Sequence, residues 1–192
     1  FLRAYFYFNL VRAYGDVPYF TEMVTTDQVN SLTRTPAQEI FNAIIAECDK
    51  LSTELPADYT KLGLDGIAPE ENGRVTCYAA LALKARAALY AASPLFNPEN
   101  NKDLWRRAAE ANKEVIETCT ANGFKLSKYS ELWGPNNWSN NEMIFVRRYN
   151  GNISTLEEYN FPMGVPGGNS GNCPTQNMVD AYEMKATGKM WN

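Results

Sequence analysis

Residues 1–20, FLRAYFYFNLVRAYGDVPYF, hold eight aromatic side chains and constrain the fold more than any other stretch of the chain. Phe1, Tyr5 and Phe8, then Leu2, Phe6, Asn9 and Ala13, recur at the three- and four-residue steps of an α-helix. Gly15 supplies a C-terminal stop, and Pro18 blocks quick resumption. That spacing assigns most of the aromatics from Tyr5 to Phe20 to a core rather than to a binding box. No Ser, Thr, Asp or Asn stands ahead of the helix to accept its first amides, so we expect a helix cut from a longer chain.

Three further helices follow in the pattern. After a connector at 16–34, Thr35 is placed to cap a second helix, with Pro36 in its first position and Gln38 closing a capping box. Ile40, Ile44, Cys48, Leu51 and Leu55 form its apolar face, and Pro56 ends it ahead of a polar loop at 57–72. The third helix, over 74–92, is rich in alanine, which permits close approach of neighbouring helices. Ser93-Pro94 stops it, and a fourth helix over 102–121 carries Leu104, Ala108, Ala111, Val115 and Cys119 on one stripe. The last two helices read as antiparallel neighbours resembling a degenerate tetratricopeptide pair, a unit that buries its faces by stacking on the next.

Composition removes several function classes. With 192 residues and 45% apolar content, the chain can bury a core as one domain or part of one. A net charge of −4, with basic residues paired only at Arg106-Arg107 and Arg147-Arg148, argues against a nucleic-acid partner. The chain has no histidine, which excludes Ser-His-Asp and Cys-His nucleophile systems and the usual zinc ligand. Cys48, Cys77, Cys119 and Cys173 lack metal-site spacing and read as buried free thiols. No cofactor is implied, and the Asp/Asn/Gly positions lack the order of a calcium loop.

From Phe124 the character changes. Residues 124–126 and 142–148 read as short strands, and 149–174 as an ordered loop dense in Gly, Asn and Pro. Trp133, Trp138, Tyr129, Tyr149, Tyr159 and Phe161 alternate here with Asn136, Asn137, Asn140, Asn150, Asn152 and Asn160. Aromatic faces against sugar C–H groups, with amides bonding hydroxyls, are what glycan recognition requires. Pinning of a long loop to the helices is the competing reading for any single ring. Trp105 is assigned to packing at the start of its helix. Glu157-Glu158, with Glu131 and Glu142, could in principle furnish a glycosidase pair; adjacent loop carboxylates more commonly form a solvated face.

Five segments together resemble the SusD/RagB family of Bacteroidetes outer-membrane lipoproteins. They are the opening FLRAYFYFNLVRAYGDVP; Thr33–Pro36 running into Glu39-Ile40-Phe41; Gly73-Arg74-Val75-Thr76 running through Ala79–Arg86 to Leu89-Tyr90; Asn141–Phe145; and Met178–Met184 with Gly188-Lys189. The resemblance implies a mostly α fold, a tetratricopeptide-like helical-hairpin superhelix with a long loop-rich segment and short strands. It divides the chain into a helical core at 1–126, truncated at its start, and a ligand-binding segment at 127–192 that continues further, both within one SusD-like domain. It also implies non-catalytic capture of oligosaccharide at the outer-membrane surface, through an N-terminal lipid anchor, and delivery to a SusC-like TonB-dependent β-barrel. Trp133, Trp138, Tyr149, Asn150, Asn152 and Tyr159 are the expected ligand contacts. Peptide capture, as in RagB-like members, and a tetratricopeptide-like protein–protein scaffold are the alternatives.

Overall fold

Helix α1 (Leu2–Tyr14) opens the chain and ends where Gly15, at φ +70°, turns its N–H back to Val11 O at 2.9 Å. The structure, a computed structural model, describes residues 1–59, 73–132, 140–146 and 159–190. The chain divides into two compact units, Phe1–Arg147 and Arg148–Asn192. The first holds α1, the single-turn α2 (Thr26–Val29), α3 (Ala37–Glu54), α4 (Cys77–Ala92), α5 (Lys102–Ala121) and a 3-10 turn at Tyr129–Glu131. The second holds α6 (Gln176–Asp180).

Helix α4 is the axis of the first unit: α3 and α5 both pack along it, and α1 packs on α3 and touches α4. One core cluster joins Ala4, Tyr7, Phe8 and Val11 of α1 to Ile40, Phe41, Ile44 and Cys48 of α3 and to Leu83, Ala87 and Ala91 of α4. A second joins Ala85, Ala88 and Ala92 to Ala108 and Ala111 of α5. A helix covered on both sides must be apolar on both, which is why alanine recurs around α4 instead of along one stripe. Phe8, Phe41, Ile40 and Ile44 are the largest fully buried side chains, each stabilising the fold by about 1.5–3 kcal/mol relative to exposure.

Polar side chains fix how the helices meet. Lys84 Nζ donates to Asp49 Oδ1 on α3 at 2.5 Å and to Glu114 Oε2 on α5 at 2.7 Å, so one ammonium ties three helices together. Arg3 forks onto both Glu47 oxygens, at 2.6 and 3.3 Å. The α4–α5 connection is closed by buried Asn97, whose amide donates to Ala92 O and Asn101 O and whose Oδ1 accepts the Asn101 N–H at 2.8 Å. Trp105 is half-exposed at the start of α5, its ring N–H donating to Asn100 Oδ1 at 3.0 Å.

Several local expectations are corrected. The capping box lies at Thr25 and Gln28 of α2, not at Thr35 and Gln38. The first amide of α3, that of Ala37, is taken instead by Asp16 Oδ1 at 2.8 Å, leaving Gln38 to donate to Ala91 O and Phe96 O at the end of α4. Thr35 gives its N–H to Val17 O in an isolated bridge. Helix α4 begins at Cys77, three residues later than 74, where the Cys77 N–H reaches Pro56 O.

The early aromatics are less buried than their spacing implied. Tyr7 and Phe8 are core, but Leu2, Phe6, Leu10 and Tyr14 form an exposed stripe because α1 lies on the outside of the bundle. The two expected strands, as far as they are described, run as irregular chain joined by one bond from Lys125 N–H to Asn141 O at 3.3 Å. Phe124 and Phe145 anchor them, edge-on to Tyr78 and Phe1. No helix among the described residues is long and apolar enough to cross a membrane.

Candidate ligand-binding surface

The second unit opens its described part with a loop closed on itself by main-chain bonds. Gly171 N–H donates to Tyr159 O at 2.8 Å, and Ser170 N–H donates to Phe161 O at 2.9 Å. Two turns shape the tip: Val165 N–H reaches Pro162 O, and Gly168 N–H reaches Val165 O at 2.9 Å. The Ser170 hydroxyl accepts the Met163 N–H at 2.8 Å across the loop. Pro, Gly and Asn supply this geometry because each either presets a turn or tolerates the left-handed region.

The closure leaves an apolar and amide-rich surface facing water. Tyr159, Phe161, Met163 and Val165 are all exposed, Tyr159 at 56% and Phe161 at 41%. Asn172 donates its side-chain amide to Asn160 Oδ1 at 2.7 Å, which joins the two ends of the loop one residue on from Tyr159 and Gly171. A Cβ at Gly171 would fall within the van der Waals volume of that ring at Cδ1, Cε1 and Cζ. The ring therefore rests directly on the Gly171 backbone.

Of the expected contacts, Tyr159 stands in this loop; Trp133, Trp138, Tyr149, Asn150 and Asn152 lie outside the described residues. Asn136, Asn137, Glu157 and Glu158 lie outside them as well. Among the other candidates, Tyr129 is exposed on its 3-10 turn in the first unit. Asn140 is a structural residue there, its Oδ1 accepting from the Ser127 hydroxyl and from the Glu142 N–H. The Glu142 carboxylate is engaged too, taking the Ser127 N–H at 2.8 Å.

Sequence reasoning passed over Gly171 and Asn172. Their signal was the turn run Pro162 to Gly168, which sets Tyr159–Phe161 opposite Ser170–Gly171 as a closed loop rather than an open connector. Cys173 is a further correction: its thiol is exposed and donates to Ser170 O, whereas Cys48 and Cys119 are buried. Burial, with the Glu47 charge beside it, pushes the Cys48 thiol up to about 12. Among the described residues no group of three or more His, Cys, Asp or Glu side chains converges as a metal site.

Residues 1–89 match a SusD-like family described as "Starch-binding associating with outer membrane". A SusD-like protein of Formosa agariphila is 25% identical over 146 residues, which cover 76% of this chain and 24% of that protein. A SusD-like carbohydrate-binding protein of Bacteroides fragilis, solved by crystallography, superposes with a TM-score of 0.75 at 26% identity, over all of this chain and 34% of its own. A second SusD-like crystal structure from the same species gives a TM-score of 0.69 at 27% identity, over all of this chain and 35% of its own.

The chain is similar to SusD-like proteins, through that match over residues 1–89 and through relatives and solved structures at 25–27% identity. Its mostly helical, tetratricopeptide-like architecture is that of the SusD-like fold. The chain spans about a quarter of the length of the curated SusD-like relatives it matches.

Proposed function

We propose that this SusD-like chain takes part in capturing oligosaccharide at the outer surface of the outer membrane, as part of a lipid-anchored protein, and in passing it to a SusC-like TonB-dependent β-barrel. The observation that carries the reading is the loop at 159–173, which presents an exposed Tyr159 ring with the Asn160–Asn172 amide pair one residue on. A ring offers a large apolar area at low entropic cost, and an amide offers both donor and acceptor to a hydroxyl. A match over residues 1–89 to a family described as starch-binding, and a structural neighbour described as carbohydrate-binding, support the same ligand class.

The mechanism is capture and release, with no bond made or broken. Glu142, one of the carboxylates weighed for hydrolysis, is committed to holding Ser127. Trp133, Trp138, Tyr149, Asn150 and Asn152 are further candidate glycan contacts by their place in the sequence. Several weak contacts along one glycan then supply the affinity.

A glycan array run beside a peptide panel tests the ligand class. Binding to glycans, weakened in Tyr159→Ala and in Trp138→Ala with Tyr149→Ala while helical content is unchanged, is the expected result. Binding confined to peptides would move the protein to the RagB-like reading. Release of reducing sugar, abolished by Glu158→Gln, would make it a glycosidase.

A further inference from the structure

We infer that Gly171 is the positioning residue of this surface, seating the Tyr159 ring for the face of an uncharged pyranose; this rests on the glycan reading above and deepens it. Three observations converge on it. The ring rests on the Gly171 backbone, so closely that a methyl group there would have to displace it. The same two residues are joined through the main chain, Gly171 N–H to Tyr159 O at 2.8 Å, which holds the backbone that carries the ring beside the seat while the loop is closed. The ring is nevertheless 56% exposed, so the seat holds it in place without covering it.

Holding a ring in one position before the ligand arrives removes the rotamer freedom that would otherwise be lost on binding. Glycine is the residue that allows this, because any Cβ at 171 occupies the space where the ring lies. Asn160 and Asn172, next in sequence to Tyr159 and Gly171, are bonded to one another at 2.7 Å and would offer amide groups to the hydroxyls of the sugar.

The chemistry of the loop also selects the class of sugar. Residues 159–175, YNFPMGVPGGNSGNCPT, contain no Asp, Glu, Lys or Arg. Uronic acids and sulfated sugars are held by guanidinium or ammonium groups through charge-assisted bonds. A loop made of ring, amide and hydroxyl groups suits a neutral pyranose, which offers C–H to the ring and hydroxyls to the amides.

The test is a double-mutant cycle in the full chain, with affinity measured for maltoheptaose, xylohexaose, mannohexaose and oligogalacturonate. Tyr159→Ala and Gly171→Ala should each weaken binding of a neutral oligosaccharide by about 5- to 10-fold. The double variant should bind no more weakly than Tyr159→Ala, because without the ring a methyl at 171 displaces nothing. Gly171→Ala binding like the parent, or weakening the Tyr159→Ala protein further, overturns the positioning role. Tyr159→Ala binding like the parent instead removes Tyr159 from the glycan site, the reading on which this one rests. A parent that retains oligogalacturonate alone, or none of the four, overturns the neutral class. Independently of any ligand, the ring carbons of Tyr159 should shift in the NMR spectrum of Gly171→Ala; an unmoved signal also overturns the seat.

Discussion

Phe8 meets Tyr90 edge-on at 5.2 Å between ring centroids, with the Arg12 guanidinium over its own ring at 5.9 Å. Its side chain is 2% exposed among α1, α3 and α4, so nothing nearby can collapse cheaply into the space it fills. Phe8→Ala should lower the unfolding free energy by about 3–5 kcal/mol, read from urea denaturation. An effect below about 1 kcal/mol would show that the three helices do not share this core. The thiols offer a second check at the same scale. Cys173 should react with a maleimide in the native protein, while Cys48, buried and held protonated, should react only after unfolding. Peptide mass spectrometry of the labelled protein distinguishes the two.

Lys84 shows what the helices ask of one another. Burial works to lower its pKa, but hydrogen bonds and charge from Asp49 and Glu114 outweigh burial and raise it. A raised value in the folded state means a stabilising contribution fully present below the unfolded lysine value and lost as pH climbs through the folded one. Replacement by Met, which keeps the aliphatic stem, should cost roughly 1–2 kcal/mol at neutral pH, since both carboxylate partners are largely exposed. That difference from the parent should shrink above about pH 10.5, in equilibrium melts across the alkaline range. A difference that stays constant with pH would mean the lysine acts by packing alone. Along the same helix, Ala88→Leu should destabilise by about 1–3 kcal/mol, because α5 lies against that position.

The helices were legible in the sequence because periodicity and stop signals are local. Gly15, Pro56 and Ser93-Pro94 end or follow their helices as read. The cap of α3 was not legible, because the group that takes its first amide is Asp16, twenty-one residues upstream, and only the folded chain brings that carboxylate to Ala37. The alanines of α4 announced close packing, but not that it would come from two sides.

The first unit leaves an apolar stripe uncovered. Leu2, Phe6, Leu10 and Tyr14 follow one another at four-residue steps along α1, all facing water. Stripes of this kind favour association. The isolated 192-residue chain should therefore sediment as more than a monomer at high concentration, and Phe6→Glu with Leu10→Lys should restore a monomer of unchanged helical content. A parent that stays monomeric would show that the stripe is too small to drive association. Of the candidate site, the sequence drew attention to the segment that holds Tyr159, because aromatic and amide residues crowd together there. It did not reveal that the ring and Gly171 would touch, since that contact depends on two turns between them.

The bonds that close the loop, from Gly171 to Tyr159 and from Ser170 to Phe161, run from main chain to main chain. A closure of that kind is indifferent to most side chains it encloses. Met163, Val165 and Asn169 can therefore change identity across generations while the frame keeps its shape. Variation at the tip can thus change the surface the loop presents without rebuilding the frame beneath it, much as a lathe accepts a new cutting bit.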